Sequence, residues 1–152
     1  QLASDARRRA RIVLLGGERR GPIEIAGVTA FSAGFVEDIM PAVAGLDLLW
    51  HPSRAEGLGT SVIDGMALGV PPIAFAVGGI TEVVEHDVSG LLVPPGDLAA
   101  FARAAETLID DEALRARLAA ASRARARMFS AETMTRETEA VYYQLVFGGG
   151  KR

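Results

Sequence analysis

The sequence predicts an α/β fold, a parallel sheet with helices on both faces and a helical carboxyl-terminal region, and three observations predict it. Short apolar runs alternate with helical patterns between Arg11 and Asp97. The connections between them are short and rich in glycine and proline. After Asp97 the runs give way to three successive helical segments. Such alternation builds parallel neighbours, because a right-handed crossover lays each helix against the sheet. At 152 residues and 49% hydrophobic content, the chain suits one domain with a core of its own.

The elements follow in order. Residues 2–9 read as a helix end, and the run Arg11-Ile12-Val13-Leu14-Leu15, stopped by Gly16-Gly17, suits a strand buried on both faces. Residues 23–26 form a shorter strand ended by Gly27, and residues 29–36 are turn-like. Pro41 stands where the first turn of a helix tolerates it, so residues 40–44 are helical before Gly45. Residues 46–50 are the next buried strand, closed by Pro52-Ser53. The loop Glu56-Gly57-Leu58-Gly59 then leads into a helix over residues 60–68 with Gly69 as its stop. Residues 72–76 form a strand, Gly78-Gly79 a turn, residues 80–85 a short helix and residues 90–93 a strand closed by Pro94-Pro95-Gly96. Residues 97–109, 112–128 and 131–145 are helical, the first and third introduced by Asp97 and Ser130 as N-caps. The Ala/Arg-rich run from residue 113 to 127 suits a helix, and Gly148-Gly149-Gly150 ends order, leaving residues 148–152 as a disordered tail.

Composition narrows the function. A net charge of -3 opposes a large basic surface, so nucleic acid is not expected as a partner. The cluster Arg7, Arg8, Arg9 and Arg11 reads as a solvated helix end rather than a phosphate site. With no cysteine there is no disulfide framework, thiol nucleophile or cysteine metal site. The two histidines, His51 and His86, lack the spacing that would put both on one helical face, and no metal site is expected. No window offers about twenty uninterrupted apolar residues for a membrane-spanning helix.

In an open parallel sheet, ligands gather at the carboxyl ends of strands. Three loops qualify here: Gly16-Gly17, the segment from Ser53 to Gly59, and Gly78-Gly79. The second is the richest. Its glycines allow close backbone approach, and the helix opening at Thr60 aims unpaired N–H groups at whatever lies in front. The hydroxyls of Thr60 and Ser61 either cap that helix or bond a phosphate oxygen. Glu56 precedes the helix and Asp64 lies eight positions later, about one turn inside it. Carboxylates suit a sugar or ribose, since each oxygen accepts hydrogen bonds from vicinal hydroxyls.

The run His51-Pro52-Ser53-Arg54-Ala55-Glu56-Gly57-Leu58-Gly59-Thr60, continued by Asp64-Gly65-Met66-Ala67-Leu68-Gly69-Val70-Pro71, resembles glycosyltransferase family 4. The family form is P-S-x-x-E-G-F/L-G, then E-A-M-A-x-G-x-P, then G-G-x-x-E and G-x-L-V-x-P-G-D. Gly78-Gly79-Ile80-Thr81-Glu82 and Gly90-Leu91-Leu92-Val93-Pro94-Pro95-Gly96-Asp97 complete it in order and at the family spacing. Ile12 to Gly17 looks like the family's second strand, and Gly27-Val28 like its base-side loop.

The resemblance implies a Rossmann-like domain, the carboxyl-terminal half of a B-type glycosyltransferase fold, over residues 1–147. It implies an incomplete one, without the first strand and its loop bearing an Arg and a Lys, and without the amino-terminal acceptor-binding half. The activity implied is transfer of a sugar from a nucleoside diphosphate sugar to an acceptor hydroxyl with retention of configuration and without metal or other cofactor. Glu56 matches the acid that binds the transferred sugar, the backbone of Gly57, Leu58, Gly59 and Thr60 the loop near sugar and diphosphate, and Asp64 the acid that holds the ribose. Two departures stand out. Asp64 replaces the family's Glu, one methylene longer, and Gly65 replaces Ala, which loosens the helix by about 1 kcal/mol.

Expected partners are the nucleotide-sugar donor and the acceptor-binding half; the chain by itself is expected to transfer no sugar and either to self-associate through its last helix or to fray there. A cytoplasmic location follows from the resemblance, at the inner face of the membrane if the other half touches lipid. Two rival readings remain: a non-catalytic nucleotide-sugar-binding scaffold, favoured by Asp64, and an epimerase of related fold, whose acid/base pair flanking the sugar is not found. Trp50, Met66, Met128 and Met134 read as packing. His51 reads as a hydrogen-bonded structural residue rather than one leaning into the cleft, and Glu82 as a cap of the helix near Ile80 rather than a ligand contact. Phe31 and Phe35 either flank a base or pack beneath their loop.

Overall fold

A computed structural model describes residues 10–25 and 28–148. Its centre is a three-stranded parallel sheet in the order β3 (Leu49–His51), β4 (Pro72–Phe75), β5 (Leu91–Val93). Leu49 stands opposite Pro72 and His51 opposite Ala74; Ile73 stands opposite Leu91 and Phe75 opposite Val93. Helices α2 (Thr60–Ala67) and α3 (Ile80–Val83) are the crossovers. Because the strands advance in one direction, right-handed crossovers put both helices on one face.

The middle strand shows how the layers are made. All of Pro72, Ile73, Ala74 and Phe75 are buried, and alternate residues point to opposite faces. Ile73 and Phe75 join Leu91, Val93, Phe101, Ala105, Leu108 and Leu118 in one cluster. Ala74 joins Val62, Met66, Ile80, Val83, Val84 and Ala126 in the other. On the first face lies α4 (Leu98–Asp110), whose buried Phe101, Ala105 and Leu108 fall at helical spacing. Trp50 and Phe75 both set their rings edge-on to Phe101, at 6.2 and 5.4 Å, so Trp50 is packing, as expected.

Helix α5 (Glu112–Ala126) contributes to both clusters through Leu118 and Ala126. Its arginines close helix ends elsewhere. Arg115 donates to the Leu108 carbonyl at 2.6 Å, Arg123 to Leu68 at 3.0 Å, and Arg125 to Val83 and Glu82 at 2.7 and 2.6 Å. The last carbonyls of a helix lack intrahelical partners and carry its negative dipole end, so guanidinium donors suit them doubly. What composition presents as an Ala/Arg bias is therefore a docking pattern. Helix starts follow the expected chemistry: Asp97 accepts from the Ala100 N–H and Ser130 from Thr133. Asp111, unassigned by the sequence reading, caps α5 through the Leu114 N–H.

Several expectations need correction. The strand placed at Arg11–Leu15 is not a doubly buried member of the parallel sheet. It begins β1 (Ile12–Ile25), which absorbs the second expected strand and pairs with β2 (Val28–Gly34) in a separate two-stranded sheet. The segment expected to be turn-like is thus mostly strand. Gly21 to Ile25 run antiparallel to Ser32 to Val28, because only two residues separate the strands, and a parallel return needs a crossover of a dozen or more. Ile12 to Gly16 also lie along β2, from Ala30 to Gly34, their partner numbers rising together. Nothing in residues 17–27 carries a helical pattern to cover them, and Val13 and Leu14 stay 40% exposed. The strand expected over 46–50 is shorter and later, since the Leu46 N–H turns back to Val43 behind α1 (Met40–Ala44).

After a single 3-10 turn (Arg127–Phe129), α6 (Ala131–Phe147) has no buried residue. Val141, Tyr142, Tyr143, Leu145, Val146 and Phe147 are all exposed. The expected helix end at residues 2–9, with Arg7, Arg8 and Arg9, lies outside the described residues, as do Gly27 and residues 149–152. Among the described residues no helix is long and apolar enough to cross a membrane.

Candidate functional site

The site forms where β3 and β4 end and α2 begins. His51 closes β3, and its Nε2 lies 3.0 Å from Oε2 of Glu56 across the short loop between them. The Glu56 Oε1 accepts from the Gly57 N–H at 3.1 Å. Both side chains are half-buried. The chain then reaches Gly59, the N-cap of α2, whose φ of 77° lies in the left-handed region that disfavours side chains. A Cβ there would run into Ile80 and lie 3.5 Å from Cγ of Glu56, so the carboxylate stem passes directly over the helix start.

Among the described residues no side chain caps α2. The hydroxyls of Thr60 and Ser61, both exposed, are not spent on capping, which removes that reading of them. Val62 and Ile63 donate back to the Gly59 carbonyl, leaving the N–H groups of Thr60 and Ser61 ahead of the intrahelical bonds. Asp64 sits one turn after Thr60, and i, i+4 residues share a helix side. Among the described residues no group bonds to its half-buried carboxylate.

The third glycine loop has a role the sequence reading missed. Gly79 donates to the Gly57 carbonyl at 2.8 Å. At Gly78, with φ 47°, a Cβ would overlap the carbonyl oxygen of Glu56, and at Gly79 it would overlap that of Gly57. The loop after β4 thus buttresses the loop after β3. A signal was present: paired glycines with no ligand of their own are the residues that admit another backbone.

Of the residues singled out, Glu56, Gly57, Leu58, Gly59, Thr60 and Asp64 are brought together around the α2 start. Val28 is not in a loop at a strand's carboxyl end; it opens β2, opposite Ile25. Glu82 does not cap α3, which has no side-chain cap at all; its backbone carbonyl receives Arg125. Phe31 and Phe35 are exposed by 52% and 76%, so neither packs beneath a loop. His86 accepts the Leu92 N–H at Nδ1, 3.0 Å, and fixes the entry to β5.

The family described as glycosyl transferases group 1 matches residues 1–111. The chain belongs to the group 1 glycosyltransferases. A relative from Streptomyces fradiae, 2-deoxystreptamine N-acetyl-D-glucosaminyltransferase, is 37% identical over 134 residues, covering 85% of this chain and 31% of its own length. The Anabaena protein HepE, solved in complex with UDP-glucose, superposes with a TM-score of 0.70 at 31% identity, over 76% of this chain and 32% of its own. A C-terminal domain of a group 1 glycosyltransferase from Francisella tularensis superposes with a TM-score of 0.59 at 27% identity, over 65% of this chain and 52% of its own. This glycosyltransferase chain therefore spans about a third of the first two, and its parallel sheet and helices are those of the B-type fold.

Proposed function

We propose that the complete protein transfers a sugar from a nucleoside diphosphate sugar to an acceptor hydroxyl with retention of anomeric configuration, and that residues 1–147 are its donor-binding domain. The observation that carries this is the uncapped N-terminus of α2 with Glu56 over its first turn and Asp64 behind Thr60. A helix start with free N–H groups, exposed hydroxyls and a glycine N-cap suits a diphosphate. Glu56 accepts hydroxyls of the transferred sugar and Asp64 those of the ribose. As the bond from the sugar C1 to the diphosphate breaks and the acceptor oxygen bonds to C1 from the same face, the helix end stabilises the departing charge. No divalent metal is needed for that step. The likeness to HepE, solved with UDP and with UDP-glucose, supports the donor class.

The test is a panel of UDP-, GDP- and ADP-sugars with the complete protein. One donor is turned over, NMR of the product shows the donor's anomeric configuration, and EDTA leaves the rate unchanged. Saturable binding without turnover would instead favour a scaffold, and no binding at all would sink the reading. Within it, Glu56→Gln lowers kcat by about 2 kcal/mol or more, roughly 30-fold, because it touches the group where charge develops. Asp64→Asn raises donor KM with a smaller change in kcat, since the ribose is held alike in ground and transition states. Asp64→Glu tightens donor binding if the shorter acid works through water. The chain alone transfers nothing, and its exposed α6 face self-associates; sedimentation velocity of the isolated chain checks the latter.

A further inference from the structure

We infer that His51 is the positioning residue for Glu56, a role that rests on the functional reading above. Glu56 stands on a loop, where a glutamate samples several rotamers unless something holds its carboxylate. Here the holder is an imidazole mounted on the sheet. His51 is the last residue of β3, in register with Ala74, so its backbone is set by the parallel ladder rather than by the loop. Its Nε2 meets Oε2 of Glu56 at 3.0 Å, with side-chain exposures of 17% and 28%. A carboxylate offers only acceptors, so the ring must donate through Nε2–H. The Gly57 N–H holds the other oxygen at 3.1 Å, and Gly78 and Gly79 fix the loop's carbonyls from behind. Each carboxylate oxygen keeps lone-pair capacity for a sugar hydroxyl, in an orientation set before the donor arrives.

Steady-state kinetics of the complete protein with His51→Leu, His51→Gln, Glu56→Gln and the two double variants with Glu56→Gln test this. His51→Leu lowers kcat about 10- to 100-fold, as loss of a supporting partner does, with donor KM nearly unchanged. His51→Gln, whose amide nitrogen can replace Nε2, recovers most of the loss. In the Glu56→Gln background His51→Leu removes little more, because the group it orients is already gone. A purely structural histidine would give equal losses in both backgrounds and no rescue by Gln, and either result overturns the inference. The ¹⁵N signal of the His51 ring, identified by its disappearance in His51→Gln, shifts on Glu56→Gln without any substrate; indifference of that signal also overturns it. If Glu56→Gln keeps full kcat while the ring signal shifts, the contact stands but the functional reading fails, and the positioning role falls with it.

Discussion

The two ends of helix α2 are treated in opposite ways. At its carboxyl end the Arg123 guanidinium reaches across from α5 to the Leu68 carbonyl, packed against Gly69. Arg125 and Arg115 do the same for α3 and α4. At its amino end no side chain among the described residues supplies an acceptor, although α4, α5 and α6 all receive one from Asp97, Asp111 and Ser130. Three helix starts carry side-chain caps and three helix ends are closed with arginine, while the start of α2, like that of the four-residue α3, has no side-chain cap. What sets α2 apart is that the Glu56 stem lies over its uncapped start, and there we propose that a ligand supplies the acceptor.

The most damaging way to break this contrast is to disturb the loop that holds the open end. Gly78→Ala places a methyl group against the Glu56 carbonyl at a positive φ, and backbone meeting backbone has little room to yield. Left-handed strain of about 1–2 kcal/mol adds to the overlap, so the variant loses about 3 kcal/mol or more in urea unfolding. A loss under about 1 kcal/mol would show that the two loops are not in contact in solution.

The closed ends give a smaller and graded effect. Arg125→Ala removes two charged hydrogen bonds to α3 carbonyls and costs about 2 kcal/mol; Arg123→Ala removes one at a more exposed carbonyl and costs about 0.5–1 kcal/mol. Thermal unfolding ranks the pair. Neither substitution changes donor affinity in the complete protein, because both act at helix ends facing away from the proposed donor site. A shift in donor KM with Arg123→Ala would mean the two ends of α2 are coupled after all.

The parallel core was legible because its signals are local. Apolar runs bounded by Gly and Pro marked β4 and β5, and Asp97 marked the start of α4. The loop from Ser53 to Gly59 stood out as the candidate site for the same reason, glycines before a helix start. What escaped depends on pairs distant in sequence. That Gly78-Gly79 supports Glu56-Gly57, or that Arg123 and Arg125 seal α2 and α3, cannot be read from composition, since an arginine on a helix looks the same whether it meets water or a carbonyl. His51 lies between these cases: five residues from Glu56, it was close enough to suspect, yet its contact depends on how the loop folds back. Residues 10–34 failed differently. The run Ile12-Val13-Leu14-Leu15 has the pattern of a buried parallel strand, but with no crossover helix after it, it lies along β2 instead.

Gly65 tests the contrast most finely. The sequence reading treats it as a defect, a glycine that weakens α2 by about 1 kcal/mol against alanine. In the fold it is buried against β3, and a Cβ would approach Cδ2 of Leu49 to 2.8 Å. The methyl group of Gly65→Ala therefore gains helix propensity while forcing the Leu49 side chain off its position, at about 0.5–1.5 kcal/mol for a displaced rotamer. The two nearly cancel, and urea unfolding of Gly65→Ala stays within about 1 kcal/mol of the parent. The compensation is exposed by shortening the neighbour. Leu49→Ala alone leaves a cavity, but in the Gly65→Ala background the added methyl partly fills it and no longer strains anything. The double variant is accordingly more stable than the sum of the singles predicts, by about 1 kcal/mol. Strict additivity would mean that α2 does not rest on β3 at this point, and that the open end of the helix owes its position to the glycine loops alone.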